Sequence, residues 1–153
     1  MDVEWLNLPD TSYMARVAWR LSLAALMGGL IGAERELKGK DAGLRTHMTV
    51  AVAAAAFVMI GLEIEPESLG SVIQGIATGV GFLGAGTILK KWDEGIQGLT
   101  TAATIWLTAA IGTASGAGHG FMALICVIVA WLILTIFTRV HHWLNPDSQG
   151  TGN

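Results

Sequence analysis

Long runs of apolar residues, interrupted only by short polar segments, set the strongest limit on what this 153-residue chain can fold into. Apolar residues make up 52% of the chain and charged residues 14%. About 25% of a typical soluble domain is charged, because its surface faces water. A helix needs roughly 20 apolar residues to cross the hydrocarbon core of a bilayer. The composition and length therefore predict a single membrane-embedded helical domain and exclude an ordinary soluble one.

Five segments are apolar enough to be candidate membrane-spanning helices. They cover residues 13–32, 47–61, 69–89, 99–115 and 120–138. The second and the fourth are short for a span, so one of them would tilt little or thin the bilayer locally. We expect an all-α fold, a polytopic transmembrane helix bundle over residues 1–140, followed by a short polar tail over residues 141–153.

Charged residues are sorted between the two sides of the predicted bundle. With five spans, one side carries acidic residues and no Lys or Arg, while seven of the nine basic residues fall on the other. These seven are Arg35, Lys38, Lys40, Arg45, Lys90, Lys91 and Arg139. Short loops rich in Lys and Arg stay in the cytoplasm. We therefore predict an N-terminus outside and a C-terminus in the cytoplasm, whereas a four-span chain would leave one basic region outside.

Arg16 and Arg20, the other two basic residues, open the first span one helical turn apart, so they share a face. Arg20 either extends outward to the membrane interface or faces the bundle. In the second case it would contact an anion, a carboxylate or the C-terminus of another helix. The sequence leaves both alternatives open.

Glycines inside the apolar runs predict close contacts between helices, since small residues let backbones approach. Two G-x-x-x-G pairs favour packing within the bundle, with a homodimer interface as the alternative. The second pair overlaps a G-x-G-x-x-G match that we reject as a dinucleotide site, because that fingerprint needs a preceding strand. Four glycines within eight residues predict instead a thin or irregular third span at the centre of the bundle. The packing set is Gly28, Gly32, Gly75, Gly79, Gly81, Gly84 and Gly86.

The densest group of charges, residues 34–47, joins the first two predicted spans. It is either a solvated face or a site in which Glu34 pairs with Arg35 or Arg45 at the membrane surface. Threonines at the start of the fourth span lie on the same side and offer hydroxyls to a polar seam. If Glu34 is paired, Glu34→Ala should disrupt the protein more than Lys38→Ala. The candidate cluster is Arg20, Glu34, Arg35, Arg45, Thr46, Thr100, Thr101 and Thr104.

Several function classes have no support in the residues. The four histidines are scattered along the chain, and no catalytic set or phosphate loop can be assembled, so we expect no enzyme, no cofactor and no metal centre. No Asp or Glu falls inside the predicted spans, which argues against a simple Mg²⁺ channel because hard cations need oxygen ligands. A net charge of −3 gives no reason to expect a nucleic-acid partner.

Three motifs, in order, give the chain a family resemblance. They are G-G-L-I-G-A-E-R-E at 28–36 with A-G-L-R-T-H at 42–47, then G-F-L-G-A-G at 81–86 and G-L-T-T-A-A-T-I-W at 98–106. Together they resemble the signatures of the MgtC/SapB family of membrane proteins. The resemblance covers about residues 16–106. It does not extend as a signature into the last predicted span.

The resemblance implies a bacterial inner-membrane protein tied to magnesium limitation, and in pathogens to virulence. It also implies a regulator that restrains the membrane part of the F-type ATP synthase or affects membrane potential. The alternative is a small transporter of Mg²⁺ or another ion, acting as an oligomer. The family's namesake continues into a soluble C-terminal domain, whereas this chain resembles the membrane domain alone, so the family's regulation need not transfer.

Overall fold

The computed structural model describes residues 10–91 and 95–144. In that part of the chain it has five α-helices, which confirms the all-α prediction. A 3-10 turn, Pro66–Ser68, precedes the third helix, and a short antiparallel hairpin precedes the fourth. The elements are α1 (Thr11–Leu37), α2 (Leu44–Ile64), α3 (Leu69–Gly86), β1 (Leu89–Lys91), β2 (Gly95–Gln97), α4 (Leu99–Gly116) and α5 (Gly120–Leu144).

The α1–α2 connection differs from the predicted boundaries. Helix α1 continues past residue 32 to Leu37, so Glu34 lies inside it. The expectation that no acidic residue falls within a membrane span stays a prediction, because the end of a helix does not mark the edge of the bilayer. A short connection joins α1 to α2, and a hydrogen bond holds its two ends together. The Glu36 carboxylate accepts this bond from the backbone N–H of Leu44, at 2.8 Å. That N–H opens α2 and would otherwise lack a partner.

Three helical segments are long and apolar enough to cross a membrane: Thr11–Leu37, Leu44–Ile64 and Pro66–Gly86. The described part of α5 that is apolar, Gly120–Ile136, is shorter than these. Helix α4 is the most buried of the five and carries several hydroxyl side chains. The count of five spans and the orientation of the chain stay predictions.

The bundle centres on α2 and α4, which approach each other through alanine and glycine. A Cβ added to Gly112 of α4 would collide with the backbone of Ala51 in α2, and one added to Gly116 would collide with that of Ala55. Helix α1 packs beside this pair. Helix α3 lies at the periphery, and Gly84 is its single buried residue. The prediction of a central third span is therefore wrong.

The predicted packing glycines divide into two groups. A Cβ at Gly28 would lie 2.7 Å from the Ala51 side chain, and one at Gly32 would lie 2.7 Å from the Cα of Leu44, so α1 and α2 cross closely there. Gly84 makes an ordinary contact with Ala102, 3.5 Å from its added Cβ. The remaining glycines face open space among the described residues, and close packing inside the bundle is wrong for them. These are Gly75, Gly79, Gly81 and Gly86.

The reason is that a glycine pair permits a close crossing but supplies little side-chain surface to hold one. On α1 and α4 the facing helix presents alanines that fill the contact, Ala51 and Ala55 of α2. On α3 the same spacing borders an open apolar groove between α2 and α3, and the helix remains regular over all 18 residues despite its glycines. The prediction of an irregular helix is therefore wrong too.

Candidate functional site

Two ionisable side chains on the last turns of α1 are buried at one end of the bundle. We call this the hairpin end, because the α1–α2 loop and the β hairpin both lie there. Glu34 is 9% exposed and Arg35 is 3% exposed. Charged residues are almost never this buried unless they have partners, so the contacts of these two define the site.

Arg35 begins a chain of polar contacts that links α1 to α4 and α2. Its Nη2 donates a hydrogen bond to the Thr101 hydroxyl oxygen at 2.6 Å. One turn along α4, the Thr104 hydroxyl donates to the backbone carbonyl of Thr101 at 2.9 Å. The Thr104 hydroxyl oxygen lies 3.4 Å from Nε2 of His47. We call Arg35, Thr101, Thr104 and His47 the polar network.

His47 is fully buried, and its contacts restrict how it holds protons. Its Nδ1 lies 2.9 Å from the backbone carbonyl of Gly43, so Nδ1 carries a hydrogen and donates to that oxygen. Thr104 has one hydroxyl proton, and the shorter contact commits it to Thr101. Nε2 of His47 therefore faces a lone pair of the Thr104 hydroxyl oxygen. If the imidazole ring gained a second proton, Nε2 would donate a hydrogen bond to that oxygen.

Glu34 is paired with the next basic residue on its own helix face. The Lys38 ammonium forms an ion pair with Oε1 of Glu34 and donates a hydrogen bond to the backbone carbonyl of Leu134 in α5, at 2.9 Å. Lys38 thereby ties α1 to α5. Oε2 of Glu34 and Nε of Arg35 are buried with no hydrogen-bond partner in the described part of the chain.

A polar cavity of about 620 Å³ opens beside these groups at the hairpin end. Its walls carry both signs of charge, and its lining includes Glu34, Arg35, Lys38, Lys40, Asp41 and Thr101. Among the residues that the structure describes, no group of three or more His, Cys, Asp or Glu is placed to hold a metal ion. The arrangement can bind a polar or charged group, and among the described lining residues no nucleophile lies beside a base.

The predicted cluster is only partly brought together. Arg35, Thr101 and Thr104 join in the polar network, and Glu34 lies next to them. Arg45, Thr46 and Thr100 have exposed side chains. The predicted pairing of Glu34 with Arg35 or Arg45 is wrong, since among the described residues the salt bridge of Glu34 is with Lys38.

Arg20 lies at the opposite end of the bundle, so it takes no part in this site. Its Nη1 donates a hydrogen bond to the backbone carbonyl of Gly116, the last residue of α4, at 2.9 Å. Of the two alternatives for Arg20, the structure has the contact with a helix C-terminus. A cation there complements the partial negative charge of the helix end.

Two residues of the site, Lys38 and His47, were not among the candidates. The signal for Lys38 was its spacing, because Glu34 and Lys38 are four apart and share a helix face. The signal for His47 was its position directly before an apolar stretch. Neither spacing nor position could show that α4 would present Thr104 to it.

Further along α4, the hydroxyl side chains are turned onto their own helix. Thr108 donates to the backbone carbonyl of Thr104 at 2.8 Å, and Ser115 donates to that of Ile111 at 2.9 Å. An apolar cluster that includes Ile31 and Ile111 then separates the polar network from the opposite end. The polar contacts that link α1, α2 and α4 from the hairpin end thus stop part-way through the bundle.

Comparisons with known proteins place the chain in a family. The model of the MgtC family matches residues 21–143, which contain the whole hairpin-end site. The chain belongs to the MgtC family. Protein SrpB of Synechococcus elongatus is 40% identical over 156 residues, which cover 92% of this chain and 85% of SrpB. No solved structure matches the chain.

Two further members of the family extend well beyond the matched region. YhiD of Escherichia coli K12, whose name marks it as a candidate magnesium transporter, is 40% identical over 79% of this chain and 60% of its own length. Protein MgtC of Salmonella typhimurium LT2 is 43% identical over 71% of this chain and 47% of its own length. The chain thus spans about half to three-fifths of these two relatives. Family membership and the three apolar helices make it a membrane protein.

Proposed function

We propose that this protein is a non-enzymatic regulator in the bacterial inner membrane that acts on another membrane complex under magnesium limitation. The observation that carries the proposal is that the buried hydroxyls of α4 are occupied: Thr104 and Thr108 donate to backbone carbonyls of their own helix, and the Thr101 hydroxyl accepts a hydrogen bond from Arg35. A path for ions needs a hydrated seam at membrane depth. A bundle without one is better suited to packing against a partner.

The partner to test first is the membrane part of the F-type ATP synthase, with a place in virulence as a further consequence in pathogens. We expect the hairpin end to face the cytoplasm, because the short loops there carry the basic residues. There Lys38 and Arg35 fix the ends of α1, α4 and α5 against one another. A partner that bound this end would meet a defined arrangement of helix termini.

The test is ATP-driven proton pumping in inverted membrane vesicles that contain matched amounts of ATP synthase. We expect the protein to lower pumping and Glu34→Gln to abolish the effect, because the neutral amide breaks the ion pair with Lys38. Glu67→Gln is the matched control, since Glu67 is exposed in the 3-10 turn at the opposite end. Unchanged pumping with the wild-type protein at full expression would overturn the proposed regulation of ATP synthase.

A transporter of Mg²⁺ or another ion, acting as an oligomer, is the second candidate. It is favoured by the name of YhiD and by Oε2 of Glu34, a buried oxygen without a hydrogen-bond partner among the described residues. Hard cations take oxygen ligands. Proteoliposomes loaded with a Mg²⁺-sensitive dye test it directly. Flux that Glu34→Gln removes and Glu67→Gln leaves intact would replace the regulator proposal with transport.

A further inference from the structure

A groove at the opposite end of the bundle has a charged mouth and an apolar floor. It lies between α1 and the start of α5 and has a volume of about 600 Å³. Arg16 and Arg20 stand at its mouth, and Leu23, Met27 and Leu124 line it further in. We call it the arginine groove.

The charge at the mouth is positive and is held in place. Arg20 is fixed by its hydrogen bond to the Gly116 carbonyl, and Arg16 is exposed one helical turn away. No acidic residue is among the residues lining the groove. Glu63 lines a second, smaller cavity that Arg16 and Arg20 also border, and there its carboxylate accepts a hydrogen bond from the Tyr13 hydroxyl. The mouth therefore suits an anionic group.

The length of the groove matches one leaflet of a bilayer. Arg16 and Met27 are eleven residues apart on one helix, which is about 16 Å along the axis. Half of the hydrocarbon core is about 15 Å. Trp19 and Phe121 flank the mouth and are 68% and 76% exposed, as expected of aromatic residues at a membrane interface. The charged mouth thus lies at headgroup level and the apolar floor at acyl-chain level.

Two glycines at the α4–α5 turn keep the walls close together. A Cβ on Gly118 would lie 2.9 Å from Nη2 of Arg20, and one on Gly120 would lie 2.9 Å from a methyl group of Leu23. The turn therefore approaches α1 closely enough to close the groove on one side. This makes it a shaped recess rather than an open helix face.

We propose that the arginine groove binds one anionic phospholipid. Its phosphate lies between the guanidinium groups of Arg16 and Arg20, and one acyl chain runs along Leu23, Met27 and Leu124. This explains why the two basic residues outside the basic side of the chain sit together on one face. The inference does not rest on the proposed function.

The test is native mass spectrometry of the intact protein in a non-ionic detergent, titrated with phosphatidylglycerol. We expect a single tightly held lipid, and Arg16→Gln should weaken it about tenfold by removing one charge-assisted contact. Leu124→Trp should weaken it as well, because the larger side chain fills the floor while both arginines remain. Arg45→Gln, which removes an exposed charge at the hairpin end, is the matched control and should change nothing.

Three comparisons separate the lipid from other occupants. Diacylglycerol with the same chains lacks the phosphate and should bind more weakly than phosphatidylglycerol binds to the Arg16→Gln variant, in which Arg20 still contacts the phosphate. Displacement of the lipid by inorganic phosphate would mean that the mouth is an ion site and would overturn the proposal. Equal retention of phosphatidylethanolamine would overturn its anionic selectivity. Equal binding of phosphatidylglycerol to the wild-type protein and to Arg16→Gln would overturn the site itself.

Discussion

At the scale of single residues, the Glu34–Lys38 ion pair joins a buried carboxylate to an ammonium group that still reaches water. The Lys38 side chain is 34% exposed and that of Glu34 is 8% exposed. From the sequence we expected Glu34→Ala to be more disruptive than Lys38→Ala, because no partner was assigned to Lys38. The structure makes Lys38 the partner, so its loss leaves a buried carboxylate without a counter-charge.

We therefore expect Lys38→Met to destabilise the protein by about 1–3 kcal/mol, the cost of a buried polar group left unsatisfied. Glu34→Gln should cost less, because the remaining ammonium can turn to water. The double variant should recover part of the loss. Thermal unfolding of the four proteins in detergent gives the coupling energy, and additive effects would contradict the pairing.

Two neighbouring threonines at the start of α4 provide a matched pair for the polar network. Thr101 is 4% exposed and accepts the Arg35 hydrogen bond, whereas Thr100 is exposed. Valine has the shape of threonine without the hydroxyl, so Thr101→Val leaves the guanidinium unpaired at nearly constant volume. We expect it to cost about 1.5–3 kcal/mol, as for hydrogen bonds to charged groups.

Thr100→Val should stay within about 0.5 kcal/mol, as surface substitutions usually do. Both variants can be followed by thermal unfolding at matched detergent concentration. Equal effects of the two would mean that the Arg35–Thr101 contact contributes nothing to the fold.

At the scale of elements, the two G-x-x-x-G pairs predict opposite outcomes for the same substitution. Gly32→Ala would force a Cβ to within 2.7 Å of the Leu44 backbone and separate α1 from α2. We expect loss of membrane expression or a large drop in thermal stability. Gly79→Ala meets no neighbour and should stabilise α3 by up to about 1 kcal/mol, the helix propensity difference.

If Gly79→Ala instead weakens self-association, measured by crosslinking in the membrane, the groove between α2 and α3 that Gly79 lines is part of a homodimer interface. A fall in the thermal stability of the monomer would contradict the open space that surrounds Gly79. Gly75→Ala provides a repeat of the same experiment one turn earlier on the same face.

Composition and spacing predicted the helices but not their neighbours. Apolar runs located all five, because a span must be about 20 apolar residues long. The same G-x-x-x-G spacing occurs at Gly28–Gly32 and at 75–79, and only the first meets another helix. Which face turns inward depends on the alanines of a distant helix, which spacing cannot reveal. The hairpin was missed because the apolar run that contains α3 continues through Ile88 to Leu89, so the predicted third span took in the first residue of β1.

For the site as well, the sequence predicted several of the residues but not their contacts. Arg35 and Thr101 are 66 residues apart, and both were among the candidates because they lie near the ends of predicted spans on the same side. Their direct contact follows from how α1 and α4 pack. His47 was passed over because histidines scattered along a sequence carry no sign of which will be buried together.

At the scale of the whole molecule, the number of spans decides which surfaces can meet a partner. Five spans with the N-terminus outside place the α4–α5 turn outside and the α1–α2 loop in the cytoplasm. If α4 and α5 did not cross, that turn would not reach the outer surface. His119 is exposed in the turn and Lys40 in the loop, so the two positions report on the two sides.

The measurement is labelling of intact cells with a membrane-impermeant maleimide. The background is Cys126→Ala, which removes the one native cysteine. We expect His119→Cys to be labelled from outside and Lys40→Cys only after the cells are opened. Glu65→Cys, between α2 and α3, serves as the outside control. Labelling of Glu65→Cys without His119→Cys would leave α1 to α3 as the spans and would contradict the packing of the α4–α5 turn against the start of α1, on which the arginine groove depends.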